Sequence, residues 1–478
     1  MEHTVLHSPN PKSSTLSLMI VAGEASGDKH GASLAQALTR LNPEITFEMF
    51  GSGGEEMRAA GVETLVDARE VGIIGVPEIA RAIGKLYRAY RTLLNAARSR
   101  RPAAIVLIDW PDFNMRLARK LHREGFKVVY YISPQVWAWR KYRVRALRRD
   151  VDRMLVILPF EEEFYKEAGV EVEYVGHPLA GIVGATSTRE EFCSRYVLDP
   201  ARPILSLLPG SREKEIHYHL PVMLDAAKRV RSAECGVRSV EFGVPRAELG
   251  MENVTRSESE SSKAPVLDPQ SQISNLTSHI SHLDSQSQIS NLKSKISTPH
   301  SALRTPHSAP VQFVIPLAST VSREQVELVI NHFESTRSER ELMGVRMVER
   351  DTYNALAHSD VAIVASGTAT VEAALSGTPM VIIYRGSEIN WRLIRPLIHL
   401  NTFGMVNLIA GSHIVPELIQ HDATAEKIAI EVSAILSDST RLARMKKDLA
   451  GVRDLLSAGG GSAAERAATA VMKIIAIG

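Results

Sequence analysis

Short apolar runs alternate with amphipathic stretches through the first half of the chain. Residues 16–22, 104–108, 128–132, 154–158 and 173–175 read as buried strands. Between them, residues 30–41 and 113–124 carry apolar side chains at helical spacing. Strands separated by helices imply βαβ units, and so a parallel sheet covered on both faces. A second series follows at residues 204–208, 312–315, 361–365 and 380–384. The pattern predicts an α/β chain of two doubly wound, Rossmann-like domains. The first occupies residues 16–185 after a flexible tail (1–15), and the second residues 186–423. An alanine-rich helical end occupies residues 424–478.

Residues 235–310 break the pattern. They are rich in Ser, Gln, Asn, His and Pro, and they repeat SQISNL (271–276, 287–292) and PHSA (299–302, 306–309). Such a composition buries too little apolar surface to offset the entropy of ordering, so a disordered insertion is predicted in a helix-to-strand loop. A partner-binding loop is the other reading.

Composition narrows the function. Lys and Arg total 56 against 54 Asp and Glu, a formal charge of +2. This argues against a dedicated nucleic-acid binder. Two cysteines, Cys193 and Cys235, are too few for a disulfide scaffold or a zinc ribbon. No run is long enough to span a membrane, and the first residues lack a signal-peptide pattern. A cytoplasmic protein is expected. Residues 77–102 nonetheless place Ile79, Ile83, Leu86, Tyr90 and Leu94 at helical spacing among Arg81, Lys85, Arg88 and Arg91. That pattern suits an interfacial helix, and equally a core face beside a solvated basic face. The basic run 140–149 and the patch 391–395 carry the same two readings.

Candidate chemistry gathers in turns that follow strands. After strand 361–365 comes Ser366-Gly367-Thr368-Ala369-Thr370-Val371-Glu372. Small residues opening a helix leave N–H groups and positive dipole free for phosphate. Glu372, one turn after Thr368, lies on the same face and suits ribose hydroxyls; an ordinary strand–helix turn with a surface Glu is the other reading. After strand 204–208 comes Pro209-Gly210-Ser211-Arg212. Gly210 admits a close backbone approach, and Arg212 suits phosphate oxygens, or is a loop arginine making surface ion pairs. The turn at Gly23, with Ser26, Gly27 and Asp28, lacks a dinucleotide fingerprint. It reads as a sugar or acceptor-phosphate turn, or as a tight structural turn.

Asp109 ends strand 104–108 and is a candidate general base for an alcohol nucleophile; Asp112 reads as a helix cap. The loop with Gln135, Trp137 and Trp139 suits a sugar ring or acyl chain, or a domain interface. His177 and His30 are cleft candidates or ordinary loop histidines. No Cys/His cluster has metal-ligand spacing, and no GxSxG elbow is present.

VAGEASGD, IDWPDFN, YYISPQVWAWR, LPFEEEFY, YVGHPL, LLPGSRE, ASGTATVEAALSGTPMVIIYR and NLIAGSHIVPELIQ resemble, in this order, motifs of the lipid-A-disaccharide synthase family. The resemblance runs from about residue 21 to 420. It implies a GT-B fold, with the two domains facing an interdomain cleft. It also implies an inverting transfer of 2,3-diacylglucosamine from its UDP form to lipid X (2,3-diacylglucosamine 1-phosphate), with no metal and no cofactor. A homodimer on the cytoplasmic face of the inner membrane is implied as well. By motif, Asp109 matches a required aspartate and Arg212 the arginine of the phosphate loop. Glu372 would bind ribose, Ser366, Gly367 and Thr368 the diphosphate, and Asn407 would lie near the donor. One departure is Met405-Val406, where the family usually has Leu-Pro. Competing readings are another GT-B enzyme acting on UDP-GlcNAc, and a catalytically silent sugar-nucleotide binder at the membrane surface.

Overall fold

The first parallel sheet contains β1 (Ser14–Ala22), β2 (Ile45–Gly53), β3 (Glu63–Asp67), β4 (Ala104–Ile108), β5 (Val128–Tyr131), β6 (Arg153–Val156) and β7 (Val172–Tyr174). Their order across the sheet is β3-β2-β1-β4-β5-β6-β7. The second is formed by β8 (Ile204–Leu208), β9 (Gln312–Leu317), β10 (Arg346–Glu349), β11 (Val361–Ala365), β12 (Met380–Tyr384) and β13 (Glu417–Ile419), ordered β10-β9-β8-β11-β12-β13. The computed structural model describes residues 14–71, 79–139, 141–234, 310–335, 344–388, 391–392 and 402–476.

Central strands are largely apolar because helices cover both faces of each sheet. In β1, Met19 and Val21 enter one core cluster while Leu18 and Ile20 enter another. This is the alternation that strand geometry imposes.

Strand order reverses between β1 and β4, and again between β8 and β11. Ala22 pairs with Ile108 at the first reversal, and Val364 with Leu208 at the second. In open α/β sheets, ligands bind beyond the strand carboxyl ends at such reversals. The turns at Gly23, Asp109, Pro209 and Ser366 all follow these four strands.

Local chemistry moves several predicted boundaries. Ile132 has a positive φ of 64°, which ends β5 at Tyr131. The helix predicted at 30–41 begins earlier (Ala25–Leu41), so Ser26, Gly27 and Asp28 form its first turn. The helix predicted at 113–124 is Pro111–Arg123, with Pro111 in the first turn, where its missing N–H is harmless.

The helical end divides. Ala425–Ser437 and Ser439–Ser457 bury Ile428, Val432, Leu449 and Leu456 in the core of the second sheet. Ala463–Ala476 packs instead on the first sheet, against Ala25–Leu41. Ala467, Ala468 and Ala470 give it a small-residue face, while Arg466 Nε donates to Val175 O (2.7 Å) and Lys127 Nζ to Ile474 O (2.9 Å).

Within Ile79–Arg100, Ala89, Leu93, Leu94 and Ala97 are buried in the first domain's core. Lys85, Tyr87, Arg88 and Arg91 are exposed. The apolar side chains from Ala89 onward therefore serve the core, and these basic residues meet solvent. Cys193 is buried and free. The tail 1–13, the predicted insertion up to residue 309 with Cys235, Arg140 and residues 393–395 lie outside the described residues, as do the side chains of Ile79, Arg81, Ile83 and Trp139.

Candidate active site

At the first reversal, Asp109 and Trp110 both have positive φ, 46° and 50°. Such non-glycine conformations store strain of roughly 1–3 kcal/mol each and persist only when their surroundings hold them. Here the Asp109 carbonyl accepts from Tyr130 Oη (2.7 Å) and Asn114 Nδ2 (2.8 Å). Its N–H donates to Tyr131 O (3.1 Å). The Trp110 ring stacks on Phe113, with centroids 3.8 Å apart. The backbone is thus clamped while the carboxyl sits half-buried at the strand end. Burial, with repulsion from Glu24, pushes that carboxyl up to about 6, although the Trp110 N–H favours the charged form. A carboxylate near this value suits general-base work at neutral pH.

Gly23 is buried at the start of the same site, and Gly27 is buried against Ala22. Ser26 is exposed. Asp28 is not available to a ligand in this geometry. Its oxygens accept from the backbone N–H groups of Gly54 (2.6 Å), Met57 (3.1 Å) and Glu56 (3.1 Å). The carboxylate holds the N-terminus of the short helix Glu55–Ala59, so the expected acceptor contact gives way to a structural bond set.

The loop after β5 divides similarly. Gln135 is exposed. Trp137 is only 7% exposed; it packs edge-on against Phe160 and joins the core of the second sheet. Its Nε1 donates to Glu161 Oε1 (3.0 Å), which also accepts from Ser133 Oγ (2.6 Å). Trp137 is therefore an interface anchor rather than an open sugar platform. His177 is also buried. Its Nδ1 accepts from Leu179 N (3.2 Å), and its backbone N–H donates to Leu456 O (2.9 Å). Burial and the neighbouring His30 push it down to about 4, so it is neutral at pH 7. These bonds tie a loop to the Ser439–Ser457 helix and do not involve the ring's Nε2.

At the second reversal, Gly210 has φ +124°. Ser211 N donates to Glu215 Oε2 (2.8 Å), and Arg212 Nη1 lies 3.1 Å from Glu215 Oε1. The Arg212 side chain is 81% exposed, so it can turn towards an anion at little desolvation cost. Across the reversal, Ser366 Oγ donates to Phe403 O (2.8 Å), while Gly367 and Thr368 are exposed at the start of the Thr368–Leu375 helix. Glu372 lies one turn along, half-buried, and burial raises its carboxyl above the usual range.

Asn407 is 1% exposed. Its Nδ2 donates to Val415 O (2.9 Å) and Glu417 Oε1 (2.7 Å), while Oδ1 accepts from Ile414 N (2.9 Å) and Val415 N (3.0 Å). Its amide is saturated by the loop it folds. Contact with a donor is not available to it in this geometry.

Two residues escaped the sequence reading. Glu161 holds the loop after β5, as above. His219 is 2% exposed in the Glu213–Glu234 helix and bonds both Pro209 and Arg385. Glu161 accepts locally from Leu158 N (3.1 Å), but its bonds to Ser133 and Trp137, like the bond of His219 to Arg385, join residues distant in sequence. Among the described residues, no group of three or more His, Cys, Asp or Glu side chains is arranged to hold a metal ion. No helix among them is long and apolar enough to cross a membrane.

The sequence matches the family model described as lipid-A-disaccharide synthetase over residues 18–268 and 287–474. It is 38% identical to the lipid-A-disaccharide synthase of Koribacter versatilis, covering 96% of this chain and 98% of that protein. With the synthase of Geobacter metallireducens it shares 37%, over 96% and 97%. Among solved structures, it resembles a UDP-N-acetylglucosamine 2-epimerase described as putative from Listeria monocytogenes (TM-score 0.51, 10% identity, 97% and 96% covered). It also resembles the calicheamicin glycosyltransferase CalG4 (TM-score 0.50, 11% identity, 97% and 99% covered). The fold is that of GT-B glycosyltransferases and epimerases.

Proposed function

This chain belongs to the lipid-A-disaccharide synthase family of glycosyltransferases, and from that premise we propose the reaction and the role of each site residue. The donor is UDP-2,3-diacylglucosamine and the acceptor is lipid X. The acceptor 6-hydroxyl attacks the anomeric carbon, the bond to the UDP oxygen breaks, and the configuration inverts. The products are the β-1,6-linked disaccharide 1-phosphate and UDP.

Asp109 takes the proton of the 6-hydroxyl. Its raised carboxyl is ionised at neutral pH yet basic enough to accept. Negative charge then develops on the departing diphosphate. Arg212 and the N–H groups at Gly367 and Thr368 supply the opposing charge, without a metal ion. Gly210 and Ser211 shape the turn that carries Arg212, and Ser366 leads into the diphosphate-facing helix. Glu372 accepts from the ribose hydroxyls. The single observation that carries this reading is the placement of a raised carboxyl at one strand-order reversal and of an exposed arginine and a helix start at the other.

The protein would work on the cytoplasmic face of the inner membrane as a peripheral homodimer, meeting lipid substrates at the surface. The test is a detergent-micelle assay with both substrates and EDTA, read by mass spectrometry. Disaccharide 1-phosphate and UDP are expected. Folded protein that binds UDP but yields no disaccharide would overturn the reaction and favour a silent binder. Light scattering at micromolar protein would check the dimer, and a monomer mass would remove it.

A further inference from the structure

We propose that His219 is a positioning residue: it fixes the Pro209–Arg212 turn against the backbone of Arg385 and thereby sets affinity for the UDP end of the donor. The proposal rests on the reading that UDP binds at the reversal between β8 and β11.

His219 projects from the helix Glu213–Glu234, which follows the turn. Its Nδ1 lies 2.8 Å from Pro209 O, and its Nε2 lies 3.0 Å from Arg385 N. These partners determine the tautomer. A carbonyl only accepts, so Nδ1 carries the proton. A backbone N–H only donates, so Nε2 offers its lone pair. The ring is therefore neutral, and burial favours that form.

What it joins is significant. β8 and β12 are not neighbours, because β11 lies between them. No sheet ladder can set the turn after β8 against the segment after β12, and this imidazole spans the gap. The Arg385 segment is itself anchored from its far side. Gly386 N donates to Gln420 Oε1 (3.0 Å), and Gln420 Nε2 donates to Gly386 O (3.0 Å). Gly210, Ser211 and Arg212 directly follow the carbonyl that His219 holds. A shift of Pro209 O is transmitted to all three. Thr320 Oγ1, donating to Ser211 O (2.6 Å), steadies the turn at its other end.

The test uses calorimetric UDP binding at pH 8 and steady-state kinetics on the full chain. His219→Asn keeps a donor near Nδ1 and loses the acceptor for Arg385 N–H. His219→Gln keeps an acceptor near Nε2 and loses the bond to Pro209. Each should weaken UDP by roughly tenfold, about the effect of one buried hydrogen bond. KM for the donor should rise while KM for lipid X stays unchanged. His219→Leu, lacking both bonds, should be weaker still. A merely structural histidine would lower the melting temperature and leave UDP affinity of the folded protein unaltered; that result overturns the proposal. If no variant folds, nitrogen-15 spectra of the wild-type histidines decide. A His219 ring signal moved by UDP supports the proposal, and an unmoved one overturns it. Wild type that binds no UDP overturns the underlying reading as well, whereas equal binding by wild type and variants overturns this inference alone.

Discussion

The Trp110 indole occupies the space that a side chain on Gly23 would need: a Cβ built there would lie 2.0 Å from Trp110 Cδ2. The turn after β1 is thus packed against the strained pair that ends β4. Gly23→Ala must displace the indole, and with it the clamp on Asp109. Overpacking of this kind costs about 1–3 kcal/mol. The variant should melt several degrees lower, and kcat should fall more than the stability loss explains. Unchanged melting and turnover would show that the indole moves freely.

Asp109→Asn separates binding from chemistry. Loss of a general base lowers turnover by about 10²- to 10⁴-fold, while calorimetric UDP binding should persist. In the wild type, kcat/KM should rise with pH through about 6, as the carboxyl loses its proton. The asparagine variant should lack that limb. Stability should move the opposite way. The folded carboxyl is raised above its unfolded value of 3.8. The stability it contributes is complete below that unfolded value and is lost as pH rises through about 6. Asp109→Asn should therefore melt higher than wild type at pH 8, and show no such gain at pH 3. A lower melting point at pH 8 would contradict the burial argument.

Glu161 presents a related sign with a different role. It is 2% exposed and accepts from Ser133 Oγ, Trp137 Nε1 and Leu158 N, yet burial still pushes it up to about 7. Its stabilising contribution is complete below the unfolded carboxylate range and declines as pH rises through about 7. Glu161→Ala leaves these donors unpaired in the interior. A loss of about 2–4 kcal/mol is expected from such orphaned groups, with quenching of Trp137 fluorescence changed as its contact opens. Denaturant titration checks this, and a change below about 0.5 kcal/mol would contradict it.

Much of this architecture was legible because central parallel strands are continuous apolar runs. β1, β4, β5, β8, β11 and β12 each declare themselves in that way. β3, β10 and β13 are edge strands with half-buried or exposed positions, so hydrophobicity alone does not mark them. β2 is half-polar at its start and ends in Gly-Ser-Gly. The positions of Asp109 and Arg212 in turns after strands, and of Glu372 in the helix that opens after another, were readable from the sequence. What local sequence does not reveal is whether a polar side chain faces a ligand or the protein. Asp28 and Asn407 look like site residues, but their atoms are consumed by backbone N–H and carbonyl groups of loops packed against them. His219 looks ordinary and Glu161 reads only as a helix-start carboxylate; their tertiary partners give them the rest of their role.

Contact with a lipid surface should be electrostatic at the helix Ile79–Arg100. Its apolar residues from Ala89 onward that enter the core are unavailable to a bilayer, whereas Lys85, Arg88 and Arg91 are exposed beside Tyr87. Basic residues near an anionic surface each contribute about 1 kcal/mol, over a range set by the Debye length. The protein should therefore sediment with vesicles containing phosphatidylglycerol at low salt and be released at high salt. Lys85→Glu, Arg88→Glu and Arg91→Glu together should abolish that binding while leaving UDP affinity intact, because none of the three lies in the turns after β8 and β11. Retention of the triple variant on vesicles, or binding unaffected by salt, would place the membrane contact elsewhere on the molecule and make it apolar in character.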